Sequence, residues 1–515
     1  MRPPPAGVLH LSRRVLAIGT TERPLRRLGL ALLVIQVCWL FAVPPFAGVD
    51  EFDHTYRAAA VARGEWWAKP SDATRGTGAL VSTPRDIVEA AHDECERLPY
   101  TKAAECRPSS DADMVRMPSG AGRYNPIFYF LVGTAALPFN GVTAHYVMRA
   151  ADLVLCWLVV MTAFWVASRA RDRWQRGWLL LGGVLAMTPV ALFSTAMVAP
   201  NGLEIACGLA FWVAVLDLLR RDDSEALPSI VLAAYAVTGS MLLLLRSLGP
   251  LWALLIVLVS LVATRPPRAR LRRVIWGSAP AATATAVLAL SGLASVAWTR
   301  TQGSLTIGSE DVDPIGRLEL LALVLKANIV WVFQAIAAFP TRVNLAPMPV
   351  YVAGLGLLFA LLILMRRGAN PHVRRATWVA VWLSILVPSV ITYRTYADYS
   401  IAWQGRYTLP FAIGIVLLAA STMASARRRI RPDAAFIGLM LFVLMQTLGL
   451  STMMARERRL SPGVADGAWV LVPVWIVTLL VAIGSAVLWA TAAGQVPAYR
   501  EITEERPREP QGADT

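Results

Sequence analysis

Asp50, Glu51, Asp53, His54 and Arg57 stand together in the stretch Asp50-Glu51-Phe52-Asp53-His54-Thr55-Tyr56-Arg57. Three carboxylates beside an imidazole and a guanidinium can take a proton from an attacking hydroxyl, hold a divalent cation or grip an anion. The stretch follows directly on the apolar run Leu28 to Ala47, which is long enough to span a bilayer. Charge at a membrane surface is costly unless it is solvated or used. A base at the mouth of a span suits an enzyme whose substrate is carried by a lipid. Asp50 and Glu51, pinned within a few residues of the span, are the candidate catalytic carboxylates. Asp53 and His54 are candidates to support an acceptor or a metal ion. For His54 three readings stay open: a hydrogen-bond partner of its neighbours, a metal ligand, or a surface residue.

Further along the chain, arginines recur at the ends of apolar runs expected on the same face. Arg149, Arg246 and Arg406 are the candidates to hold a phosphate, because guanidinium meets phosphate oxygens in a bidentate fork. Each also has a plainer use. Arg149 and Asp152 lie three apart on one helix and can pair with each other. Arg246 precedes a Gly-Pro turn and can reach headgroups. Trp403 and Tyr407, which flank Arg406, suit either a membrane-interface belt or a sugar-stacking surface. No glycine-rich phosphate loop precedes a helix, so a cytosolic nucleotide site is not indicated.

The elements that must position these residues are transmembrane helices. The chain has 515 residues, 56% of them hydrophobic and 16% charged, with mean hydropathy +0.52. That composition describes an all-α polytopic membrane protein. The net charge of +15 sits mostly in short clusters between apolar runs, as the positive-inside rule expects, and does not imply nucleic acid. Arg2 to Arg27, Arg169 to Arg176, Arg220 and Arg221, Arg265 to Arg273, Arg366 and Arg367, and Arg427 to Arg429 mark cytoplasmic turns. Between them lie about twelve crossings, among them Ala144–Ser168, Trp178–Val198, Leu203–Leu219 and Ala468–Leu488. Two apolar stretches do not fit that parity as crossings. Pro126–Phe139 is too short, and Leu318–Phe339 would leave the turn at Glu310-Asp311-Val312-Asp313 and Arg366-Arg367 on the wrong sides. Both are expected to be interfacial or re-entrant helices. Arg456, Arg458 and Arg459 fall on the face opposite the other clusters, so either the parity fails there or they meet lipid phosphate.

The domains expected are a cytoplasmic N-terminal tail (1–27), a transmembrane domain (28–493) with a large exterior loop (48–125), and a cytoplasmic C-terminal tail (494–515). Cys95 and Cys106 share the exterior loop, as a disulfide or as two free thiols. Cys38, Cys156 and Cys207 lie in apolar runs.

Four stretches in order resemble one family. Val49-Asp50-Glu51-Phe52-Asp53-His54-Thr55-Tyr56-Arg57 resembles the Pro-Asp-Glu-x-x-His-x-x-Arg opening of the bacterial domain-of-unknown-function 2142 family, with Val49 in the place of Pro. Tyr124-Asn125-Pro126-Ile127-Phe128-Tyr129, Ala199-Pro200-Asn201-Gly202-Leu203-Glu204 and Trp403-Gln404-Gly405-Arg406-Tyr407-Thr408-Leu409-Pro410 also resemble it. The family is similar to C-type (GT-C) glycosyltransferases, polytopic enzymes that use polyprenyl-phosphate sugars and keep an acidic catalytic residue just after the first span. The resemblance therefore implies a GT-C-like fold with a catalytic Asp50 or Glu51. It implies a polyprenyl-phosphate-linked sugar and a cell-envelope glycan as partners in the bacterial plasma membrane, and a divalent cation, Mg2+ or Mn2+, as a candidate cofactor. Its rivals are a transporter or flippase of lipid-linked saccharides and a non-catalytic subunit of envelope assembly.

Overall fold

A computed structural model describes residues 6–68, 78–98, 101–108, 110–221, 226–303, 315–366, 368, 370–461 and 468–497, with side chains from residue 23 onward. The acidic turn at 310–313 and the chain's extremities, 1–5 and 498–515, lie outside the described residues. The chain opens with α1 (Ala6–Ala42), which Pro44 and Pro45 follow, and then α2 (Glu51–Ala62). Next comes a small polar unit: β1 (Ala79–Pro84), α3 (Arg85–Glu96) and β2 (Met114–Ser119). The two strands pair antiparallel with Ala79 opposite Ser119 and Pro84 opposite Met114, a hairpin that the all-α expectation did not contain. Cys95, at the end of α3, is joined to Cys106 by a disulfide. α4 (Pro126–Ala135) closes this region, with Asn125 accepting the Ile127 N–H at 3.1 Å and Pro126 in the first turn, where its missing donor costs nothing.

The bundle follows: α5 (Gly141–Ser168), α6 (Arg173–Leu185), α7 (Pro189–Ser194), α8 (Pro200–Arg220), α9 (Ser229–Leu245), α10 (Gly249–Thr264), α11 (Arg268–Trp276), α12 (Ala279–Gln302) and α13 (Arg317–Ile336). It ends with α14 (Met348–Met365), α15 (Pro371–Tyr399), α16 (Leu409–Ser425), α17 (Pro432–Leu460) and α18 (Val474–Ala493). Among the described residues ten helices are long and apolar enough to cross a membrane. α13 is one of the ten. α12 finishes beside the polar unit, where the Trp298 indole donates to the Arg123 carbonyl at 3.1 Å. The chain after α13 is at that same end, where Arg456 donates to the Phe339 carbonyl. The neighbouring Glu457 receives Arg97, which caps α3 in the polar unit. The sequence reading made this stretch interfacial or re-entrant; by length and composition α13 is a candidate span. α9 and α10, of 17 and 16 residues, are shorter apolar helices beside these ten.

Two boundaries differ from the sequence reading, and the partners of two arginines are now seen. Trp178–Val198 is not one helix: Thr188 Oγ1 accepts the Ala191 N–H at 3.3 Å and Pro189 begins a new helix, so the segment breaks into α6 and α7. The last helix begins at Val474, after Pro473, rather than at Ala468. Arg456 and Arg458 lie at the end of α17 and are met by protein, Arg456 by the Phe339 carbonyl and Glu457, and Arg458 by the Val472 carbonyl.

α8 is the centre of the bundle: 94% of its apolar window is buried, and the segment from Gly405 through α16 follows at 78%. α12, at 17%, lies on the outside with Leu290 and Leu293 exposed. The polar motifs sit at the starts of the two most buried segments, on the end of the bundle that carries the hairpin.

Candidate functional site

The turn between α1 and α2 is fixed from below by one buried ion pair. Glu51 is fully buried, and Arg149 of α5 meets it with both arms, Nε to Oε1 at 2.7 Å and Nη2 to Oε2 at 2.6 Å. The Gly48 and Val198 N–H groups each donate to the same carboxylate at 2.9 Å. Arg149 spends its remaining donors on the carbonyls of Leu40, Val43 and Pro44, the last turn of α1 and the residues after it. His145 completes the lock. Its Nε2 accepts the Phe46 N–H at 3.0 Å, so its Nδ1 carries the proton and donates to Thr55 Oγ1, which donates to the Glu51 carbonyl. Burial pushes the Glu51 carboxyl up, but the charge of Arg149 and the donated hydrogen bonds outweigh it and hold the group below the usual carboxylate range. Glu51 and Arg149 thus face each other rather than the cleft, and the expected pairing of Arg149 with Asp152 is absent. Asp152 instead receives the Cys156 thiol at 3.4 Å.

Asp50, one residue earlier, is half-buried and has φ 53°, in the left-handed region that Asp tolerates better than most residues. Its charge reaches the His54 ring one turn on. His54 Nδ1 is 2.8 Å from the Tyr129 hydroxyl, and the ring lies nearly parallel to both Tyr124 and Tyr129. Of its three open readings, the hydrogen-bond partner is the one the geometry shows. Burial lowers the His54 pKa to about 4; the Asp50 charge opposes this, while Arg246 and Arg406 add to it.

Arg246 and Arg406 converge on one ring. Their guanidinium carbons lie 4.3 and 5.2 Å from the centre of Tyr407. Arg246 also donates to Asn201 Oδ1 at the start of α8 and stands 5.7 Å from the Tyr124 ring. Arg406 is 6% exposed, and its Nε has no hydrogen-bond partner. Among the described residues no carboxylate lies within ion-pair distance of either arginine. Two glycines let these pieces approach. A Cβ on Gly202 would strike the Ser194 carbonyl, and one on Gly405 the Trp331 carbonyl. The Gly405 N–H also donates to Gln334 of α13 at 2.9 Å, which ties the arginine turn to that helix.

Asp53 and Arg57 point elsewhere. Asp53 accepts the Gly120 N–H at 2.9 Å, and Arg57 donates to the carbonyls of Glu65, Trp66 and Tyr124, so both fasten the polar unit to α2. Among the described residues no three His, Cys, Asp or Glu side chains gather into a metal-holding group. The residues expected to hold a divalent cation therefore do not fit one, since Asp53 is turned to the hairpin and His54 to Tyr129. Tyr407, read in the sequence as a belt or sugar-stacking residue, belongs to the site, and so do Asn201, Glu204 and Tyr124, which had no role assigned. Glu204 is 2% exposed, one turn below Asn201, and its carboxylate is felt by Arg246. The signal available was their position inside the four motifs.

The fold and this site define a polytopic helical membrane protein with a cationic, aromatic-lined centre at one end of its bundle. The chain belongs to the family described as "Predicted membrane protein (DUF2142)", whose model matches residues 33–415. No curated protein matches. Among solved structures, ArnT from Cupriavidus metallidurans in the apo state is similar at 13% identity and TM-score 0.39, over 90% of this chain and 77% of that one. The Archaeoglobus fulgidus oligosaccharyltransferase in the apo form is similar at 13% identity and TM-score 0.34, over 92% of this chain and 56% of that one.

The His54 geometry gives a pH prediction. An unfolded His takes its proton near pH 6.5 and this one only near 4, so acid favours the unfolded chain. The contribution is fully present above pH 6.5 and is lost as pH falls through 6.5 to 4, in all roughly 3 kcal/mol. Thermal unfolding in detergent should show a falling melting temperature across that window, and His54→Gln should flatten the fall. An unchanged slope in the variant would remove His54 as its source.

Proposed function

We propose that this protein transfers a sugar from a polyprenyl-phosphate donor to a glycan or glycolipid acceptor of the cell envelope. In this reading it lies in the bacterial plasma membrane with both termini cytoplasmic and the Asp50 end outside. One observation carries the reading. Arg246 and Arg406 lean on a single tyrosine ring with no carboxylate in ion-pair distance among the described residues, and their charges, like that of Asp50, reach the His54 ring. Buried guanidinium without a counter-ion calls for an anionic ligand. Opposite a carboxylate base, a phosphate-linked donor and a hydroxyl acceptor are the pair that uses both groups.

Asp50 takes the acceptor hydroxyl proton as its oxygen attacks the anomeric carbon. The bond from that carbon to the phosphate oxygen breaks, and polyprenyl phosphate leaves with the electron pair. Arg246 and Arg406 stabilise the charge that develops on the leaving phosphate. A phosphate needs no proton to depart, so one base suffices and the configuration inverts. Glu51 and Arg149 are positioning residues in this scheme, since they hold the turn that presents Asp50.

The rival reading, transport of lipid-linked saccharides, has one observation in its favour. Asp152 is wholly buried in α5 with Oδ2 unpartnered, and membrane-buried carboxylates often mark transport paths. Purified protein incubated with polyprenyl-phosphate sugars separates the two, because only transfer releases the carrier. Arg406→Met and Arg246→Met should each raise the donor KM about tenfold to a hundredfold, the worth of one hydrogen bond to a charged group. Wild-type protein that moves labelled donor across a vesicle without releasing carrier would replace the enzyme with the transporter.

A further inference from the structure

A second polar cavity, of about 260 Å³, lies at the other end of the bundle. It is formed where five helices stop or start. Arg220, Thr264 and Ser425 are the last residues of α8, α10 and α16, and Asp172 and Asn370 immediately precede α6 and α15. Gln175 and Ser421 complete its polar lining. Helix ends define the depth at which a bilayer's headgroups lie. Arg220 is half-buried and donates only to Ser421 Oγ, at 3.3 Å, with no carboxylate in ion-pair distance among the described residues. Its neighbour Arg221 pairs with Asp217 at 2.7 Å. Asp172 accepts the Trp174 N–H with Oδ1, which leaves Oδ2 for a donor in the cavity. The cavity thus offers a cation and an anion at headgroup depth, with hydroxyls and an amide between them.

We propose that this cavity binds a phospholipid headgroup that carries its own hydrogen-bond donor. The phosphodiester sits on Arg220, and the ammonium or hydroxyl of the headgroup sits on Asp172. The bound lipid ties α8, whose far end bears Asn201 and Glu204, to α10, α15 and α16. The site is independent of any sugar transfer, and its test needs no activity.

Delipidated protein in detergent is mixed with phosphatidylethanolamine, phosphatidylglycerol, phosphatidylcholine or inorganic phosphate, and its melting temperature is measured. The first two lipids should raise it by about 4 °C or more. Phosphatidylcholine, which has no donor in its headgroup, should raise it less, and Arg220→Gln should abolish the difference. Gln keeps a donor for Ser421, and Gln175→Ala with Ser425→Ala gives a second variant should Arg220→Gln not fold. Native mass spectrometry should show one retained lipid in the wild type and none in the variant. Equal shifts from all three lipids, an undiminished shift in both variants, or a full shift from inorganic phosphate alone would overturn the proposal.

Discussion

Asp50→Asn protein, purified in detergent, should keep the wild-type melting temperature and lose sugar transfer by about 10²–10⁴-fold. The substitution keeps the side chain's size and its tolerance of the left-handed backbone at φ 53°. It removes only the ability to accept a proton as a carboxylate. Asp50 caps α2 by position but makes no side-chain cap hydrogen bond, so helix stability gives no reason for a fall in Tm. Loss of carrier release at unchanged Tm therefore isolates chemistry from folding. Full activity in Asp50→Asn would move the base to another residue, and Glu204 would be the next carboxylate to test.

The division of labour between Asp50 and its neighbour was not legible in the sequence. Position after the first span put both Asp50 and Glu51 forward, Asp50 first and Glu51 second. What separates them is a partner ninety-eight positions away, Arg149, and a backbone N–H from Val198, neither of which local spacing can reveal. That the chain is a bundle of many spanning helices was legible, because apolar runs of spanning length recur along it; α13, made re-entrant by parity, is by length and composition one of the ten candidate spans. The broken α6–α7 segment was missed even though Thr188-Pro189 is a helix-start signal, because an apolar run of spanning length hides a break inside it. The hairpin was missed for a different reason. Ala79–Pro84 and Met114–Ser119 are each short, and the turn that would announce a hairpin is replaced by α3 and a disulfide loop. Arg246 and Arg406 were found by type and expected face. That they share Tyr407 and lack a counter-ion is a fact of packing alone.

Glu51→Gln should behave in the opposite way to Asp50→Asn, with stability lost first and activity lost as a consequence. Gln has nearly the same shape, but it leaves the Arg149 guanidinium buried at 0% exposure without its counter-charge. It also replaces one of two acceptor oxygens with a donor that faces Arg149 or the Gly48 and Val198 N–H groups. Breaking a buried pair in this way costs about 3–5 kcal/mol. In a protein of this size that lowers the melting temperature by several degrees or prevents folding. Arg149→Met should cost a similar amount, because Glu51 is then the stranded charge and the carbonyls of Leu40, Val43 and Pro44 lose their donors. The double variant, Glu51→Gln with Arg149→Met, carries neither buried charge and should be more stable than the sum of the single losses implies. The coupling read from that cycle distinguishes a positioning pair from two catalytic groups. If Glu51→Gln instead melts like the wild type and is inactive, Glu51 reacts with substrate and the lock is not its function. The same cycle run by acid should agree: the depressed Glu51 pKa stabilises the fold above the unfolded value near 4.3 and loses that contribution as pH falls below it.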